Sequence, residues 1–100
     1  MIIFHPQAQQ ELLEAAAFYE EQLIDLGTEF LSVIEQTTDK IEENPKAYYL
    51  SHPELEIRRC VVQRFPFLVY FRSKTEFIEI YAIAHQSKKP DYWLKRTALH

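Results

Sequence analysis

The stretch Phe77-Ile78-Glu79-Ile80-Tyr81-Ala82-Ile83-Ala84-His85 decides the fold. Apolar residues recur at every second position, the period of a half-buried strand. Ile78, Ile80, Ala82 and Ala84 share one face, expected to be the core face, and Phe77, Glu79, Tyr81, Ile83 and His85 share the other. Immediately upstream, Ser73 to Glu76 reads as a tight polar turn. Before it, residues 65–72 (Phe-Pro-Phe-Leu-Val-Tyr-Phe-Arg) and 56–63 (Glu-Ile-Arg-Arg-Cys-Val-Val-Gln) read as two further strands. The short connections predict an antiparallel meander.

Upstream of Pro53 the apolar period lengthens to that of a helix. Ala8, Leu12, Ala15, Ala16, Tyr19 and Leu23 form one apolar face, which predicts an amphipathic helix over 6–23 opened by Pro6. Asp25 to Thr28 holds the only Gly and reads as a turn. A second helix is expected to begin at Glu29, where an acid suits the helix dipole. It carries Phe30, Val33, Ile34, Thr37 and Ile41 and stops at Asn44-Pro45. The two helices are expected to pack as an antiparallel hairpin. Ile2 to Phe4 supplies a first short strand. The predicted architecture is α+β, in the order β-α-α-β-β-β. A helical hairpin packs on one face of a small antiparallel-rich sheet, and a short C-terminal helical tail opens at Pro90-Asp91. The opposite sheet face must be curved, covered or functional.

Composition narrows the function. One hundred residues, 47% hydrophobic and 26% charged, make a single globular domain over 1–100. One Gly excludes glycine-rich phosphate loops, and one Cys, Cys60, excludes an intramolecular disulfide and any CxxC pair. Cys60 is expected to be a small buried hydrophobe. His5, His52 and His100 are isolated, so neither a metal site nor a cofactor is predicted. The pairs Glu20-Glu21 and Glu42-Glu43 read as solvated helix faces. No apolar run approaches the ~18 residues that span a bilayer, and Met1 to Pro6 lacks the pattern of a signal peptide. A cytoplasmic protein without membrane contact is expected.

The net charge of −4 conceals an asymmetry. Residues 1–57 carry twelve acids against Lys40 and Lys46, a balance of −10. Residues 58–100 carry nine cations against Glu76, Glu79 and Asp91, a balance of +6. The cations interleave with aromatics, which suits an anionic partner.

Specific residues carry a family resemblance. A helical hairpin ends in Asn44-Pro45, and Ile57-Arg58-Arg59 opens a strand. Arg64-Phe65-Pro66-Phe67-Leu68-Val69-Tyr70 crosses a turn into the next strand. Ala82-Ile83-Ala84-His85-Gln86 ends the last strand, and Lys88, Pro90, Tyr92-Trp93 and Arg96 follow. This ordered set resembles the RelE/ParE toxin superfamily, the plasmid stabilisation proteins, from about Phe4 to Arg96. The resemblance implies the growth-arresting toxin of a type II toxin–antitoxin pair. A cognate antitoxin would neutralise it, in a heterotetramer or larger complex. RelE-like members cleave mRNA on the ribosome, whereas ParE-like members bind DNA gyrase and poison it.

The two branches assign the residues differently. A ribosome-dependent endoribonuclease needs a base, cations around the phosphate and an acid for the leaving oxygen. His85, Arg64 and Arg59 are the catalytic candidates in that case. Arg58, Arg72, Lys88, Lys89 and Arg96 are candidate binding cations. Tyr70, Tyr92 and Trp93 are candidate stacking or anchoring aromatics. Tyr92-Trp93 fits equally well as a latch over the sheet end. Only one of Arg58 and Arg59 faces the open sheet side, and the other is read equally well as a structural ion pair. Ser87, Lys88 and Lys89 depart from the arginines usual in the family, and lysine lacks the planar fork that clamps phosphate. With a pI near 5.5, the reading taken is ParE-like. The alternatives are the nuclease and an inactive member that serves only as a binding module.

Overall fold

The alternation of the last strand is interrupted once, and the interruption sorts the sheet into two differently used faces. The computed structural model describes residues 1–98; His100 lies outside them. Strands β1 (Ile2–Phe4), β2 (Tyr49–His52), β3 (Ile57–Val61), β4 (Phe67–Ser73) and β5 (Ile78–His85) form one sheet, in the order β1-β5-β4-β3-β2. β1 runs parallel to β5, and the other neighbours are antiparallel. Helices α1 (Pro6–Gln22) and α2 (Leu26–Glu43) form the expected hairpin.

Tyr70 pairs with Ala82 and Phe71 with Ile80, so Tyr81 is an extra residue in β5. This bulge flips the side-chain register. Before it, Ile78 and Ile80 point to the helices; after it, Ile83 does. Tyr81, Ala82 and Ala84 join Ile57, Tyr70 and Trp93 on the opposite face. The single uninterrupted face expected for Ile78, Ile80, Ala82 and Ala84 is therefore corrected at Tyr81.

Phe67, Val69 and Phe71 of β4 point to the helices. Phe30 meets Phe65 and Phe67 with ring centroids 5.1 Å apart in both pairs, and Tyr19 meets Phe65 at 4.9 Å. Such tilted and edge-on pairs add to the apolar burial that holds the layers together. Leu23, expected on the apolar face of α1, is its extended C-terminal cap and lies exposed beside Ile24.

Gly27 does not form the turn. α2 starts at Leu26, and Gly27 is buried inside its first turn. A Cβ there would lie 2.4 Å from the carbonyl oxygen of Ala16, so glycine allows the helix crossing to be this close. Asp25, with φ 72°, makes the turn instead. The Glu20 carboxylate accepts the amides of Asp25 (2.9 Å) and Gly27 (3.0 Å), capping α2. Glu20 and Glu42 are thus not simply solvated, since Glu42 binds the Met1 amino group.

The strand expected over 65–72 begins two residues later. Arg64 takes φ 71°, and Pro66 has no amide for the ladder. Edge strand β2 was not expected: Tyr49-Leu50-Ser51-His52 is short, mixed in polarity and bulged against β3. The C-terminal turn is a 3₁₀ helix, Leu94–Thr97, delayed past Asp91, whose φ is 63°. No helix among the described residues is long and apolar enough to cross a membrane.

The substitution Gly27→Ala is expected to lower stability by about 1–3 kcal/mol, the usual range for overpacking. Urea denaturation would read this as a lower midpoint with an unchanged slope.

Candidate functional site

Beyond His85 the chain folds back across the sheet face that the helices leave uncovered. Gln86 donates its amide to Pro66 O (2.8 Å) and Lys88 to His85 O (3.0 Å), which reverses the chain. Trp93 then lies over Tyr70 with centroids 4.4 Å apart and meets the His52 ring edge-on at 5.0 Å. Trp93 is 1% exposed, so it is the latch and presents no face for stacking. His52 Nε2 lies 2.9 Å from Asp91 Oδ1, and its Nδ1 lies 2.8 Å from Ser51 Oγ.

A second fastening lies at the other side of the tail. Glu11 of α1 accepts four hydrogen bonds. Its Oε1 takes the Ile83 amide (3.0 Å) and Arg96 Nη1 (2.9 Å). Its Oε2 takes the Tyr92 hydroxyl (2.6 Å) and Arg96 Nη2 (2.9 Å). Arg96, with a side chain 10% exposed, also donates to Tyr81 O at 3.0 Å. Burial, then the hydrogen bond to Glu11, pushes the Tyr92 phenol above its ordinary range. Burial and the bond to Glu79 push Tyr81 up to about 12.

Between the tail and the sheet end lies a cleft of about 220 Å³. Its lining brings together Arg59, Tyr70, His85, Lys88, Lys89, Tyr92 and Trp93 from the sequence-selected residues. Arg59 faces this side, with its guanidinium 4.8 Å from the Tyr49 ring centroid. His85 sits at the rim, shared with an apolar cleft of about 330 Å³ beside α1. His85 Nδ1 accepts the Ser87 amide at 3.0 Å and lies 2.7 Å from Ser87 Oγ. An amide can only donate, so the neutral ring carries its proton on Nε2.

The remaining arginines are occupied elsewhere. Arg58 points to the helix side and donates to Tyr48 O at 2.8 Å. Arg64 pairs with Glu29 of α2 at 2.7 Å and lines a different cleft, which His85 does not reach. Arg72 donates to Leu55 O at 2.9 Å and lies over the Tyr81 ring. Cys60 is half-buried, and burial raises its thiol pKa. Among the described residues no cluster of three or more potential metal ligands occurs.

Glu11, His52 and Asp91 were not singled out from the sequence. Glu11 contacts residues 72 to 85 positions away, so no local spacing marks it. His52 and Asp91 are 39 positions apart.

Comparison with known proteins places the family and the fold. Residues 2–90 match the family model described as the ParE toxin of the type II toxin–antitoxin system parDE. A solved chain from the chromosomal ParDE TA (toxin–antitoxin) system of P. aeruginosa superposes with a TM-score of 0.67. The two are 19% identical, over 84% of this chain and 92% of that one. At that identity the likeness shows the fold. No curated protein matches.

Two outcomes are expected for the tail. Glu11→Gln should destabilise the protein by about 3 kcal/mol, because it leaves the Arg96 charge buried without its counter-charge. Tyr92→Phe should cost about 1 kcal/mol, the net value of one hydrogen bond; both are read by chemical denaturation. Raised phenols also fix an alkaline response. Tyr81 and Tyr92 hold their protons in the folded chain above the ordinary phenol value of 10.0, at which the unfolded chain releases them. The unfolded state therefore binds fewer protons, and stability present below pH ~10 is lost as pH climbs toward ~12. Thermal unfolding across that window should show a steeper fall for the wild type than for a Tyr81→Phe, Tyr92→Phe double variant.

Proposed function

The chain belongs to the ParE toxin family of type II toxin–antitoxin systems, and from that premise we propose that it arrests growth by binding DNA gyrase rather than by cutting RNA. It is a toxin whose partner is an antitoxin. The match to the ParE family model over residues 2–90 is the observation that carries the gyrase reading. Cytoplasmic action follows from that target.

The geometry supports the same reading. An endoribonuclease needs its base and its phosphate-binding cations around one scissile bond. Arg64 is paired to Glu29 in a cleft without His85. Arg58, Arg72 and Arg96 hold backbone carbonyls or Glu11. The buried Trp93 and the nearly buried Tyr70 stack on each other and offer no platform for a base. What stays accessible is a cationic cleft with apolar walls, which suits contact with a protein.

Induced expression in a bacterial host should arrest growth with intact mRNA and a DNA-damage response, and the purified toxin should inhibit gyrase supercoiling at micromolar concentration. Arg64→Ala, which would slow a nuclease of the sequence-derived design by tens-fold or more, should leave the arrest in place. Codon-positioned mRNA cuts that disappear in Arg64→Ala would establish the nuclease instead.

A further inference from the structure

Nine cations stand in residues 58–100, and the fold leaves few of them uncommitted. Arg64, Lys74 and Arg96 pair with carboxylates. Arg58 and Arg72 are bound to carbonyls. Arg59, Lys88 and Lys89 are exposed and form no ion pair among the described residues, and all three line the same cleft, whereas the ninth cation, Lys95, is exposed outside it. Two of them lie against aromatic rings. Arg59 lies over Tyr49, and Lys88 Nζ lies 5.6 Å from the Tyr92 centroid. The sole acid in the lining, Asp91, is engaged by His52. His85 lines the cleft beside them, with its Nδ1 occupied by the Ser87 amide.

We infer that this cleft is a docking site for an acidic segment of a protein partner, one that presents carboxylates on either side of an apolar side chain. The inference rests on reading the chain as a toxin that acts by binding protein. Unpaired cations supply the complementary charge, and Leu68 and Ala84 supply an apolar floor. Two observations decide against a nucleic acid as occupant. Tyr70 and Trp93 are packed on each other, and the Tyr92 ring already carries Arg96 at 5.1 Å and Lys88 at 5.6 Å, so none of these three rings is left bare for a base to stack on. A polyanion long enough to leave the cleft also meets a molecule of net charge −4, whose first 57 residues carry −10. At physiological salt charges are felt over about 8 Å, so a short acidic segment avoids that field while an extended strand does not.

Fluorescence anisotropy with the full chain tests this. The probe is a short labelled peptide alternating glutamate and leucine, compared with its glutamine counterpart and with an oligouridylate of equal charge. The glutamate peptide should bind, more weakly as salt rises, while the other two do not. The triple variant Arg59→Gln, Lys88→Gln, Lys89→Gln should bind it about tenfold more weakly or worse. The charge-matched variant Lys40→Gln, Lys46→Gln, Lys95→Gln should bind as the wild type does. Amide shifts of the wild type on titration, concentrated at residues 84–89 and absent from α2, give the same answer if the triple variant fails to fold. Equal weakening in both triple variants, no binding of the glutamate peptide, or tighter binding of the oligouridylate overturns the inference. Growth arrest by the wild-type chain separates the two readings. Peptide binding without arrest would sink the toxin mechanism and keep the cleft; arrest without peptide binding would do the reverse.

Discussion

Four hydrogen-bond donors converge on the Glu11 carboxylate, and much of the uncommon part of this structure depends on that convergence. β1 pairs with β5 only from Ile78 to Ile80, so the last residues of β5 run past their neighbour with amides facing outward. Glu11 accepts one of them, from Ile83, and offers its remaining lone pairs to Tyr92 and Arg96 of the returning tail. A buried carboxylate is costly unless its charge is matched and its lone pairs are filled. Here the matching groups come from the chain's far end. One acid on α1 thereby ends the sheet edge and fastens the C-terminal segment over the second sheet face. It also orients Tyr92, and with it one wall of the cleft.

The hairpin and the strand pattern were legible because their periods are local. Ala8, Leu12 and Tyr19 on α1, and Phe30, Ile34 and Ile41 on α2, recur at helical spacing and do pack inward. Three features broke the local pattern. At Tyr81 a bulge exchanges faces within a strand whose letters alternate perfectly; only the pairing with Tyr70 and Phe71 reveals it. At Gly27 a residue type that usually marks a turn answers instead to the close approach of Ala16, while an aspartate makes the turn in a left-handed conformation that side chains of its type tolerate. At β2 four residues become a strand because β3 offers them a partner, not because their own sequence favours one.

For the cleft, the residue types were legible and the allocation was not. Arg58 and Arg59 are adjacent, and the pleat must send them to opposite faces; the partner strands decide which goes where. Tyr92 and Trp93 are adjacent too, yet one reaches Glu11 and the other is sealed beneath the tail. His52 and Asp91 come together only because the tail crosses β2's end of the sheet. Each of these depends on contacts far apart in sequence, for which spacing carries no signal.

The allocation of cations also explains why the site departs from a phosphate clamp. Guanidinium is a planar fork that can satisfy a carbonyl or carboxylate with fixed geometry. The fold uses that property internally: Arg58 and Arg72 hold chain carbonyls, Arg64 ties the β3–β4 loop to α2, and Arg96 holds the tail. Two of the three cations left at the cleft are lysines, which keep the charge on a flexible stem but have no fork. A surface of that kind distinguishes partners by the sign and spacing of their charges and by the shape of the apolar floor between them, and not by the oxygen geometry of a single anionic group. The structural demand for arginine elsewhere in the molecule therefore leaves the cleft with charge but little fixed geometry, and it is the packed Tyr70–Trp93 pair, not the lysines, that weighs against a stacked base there.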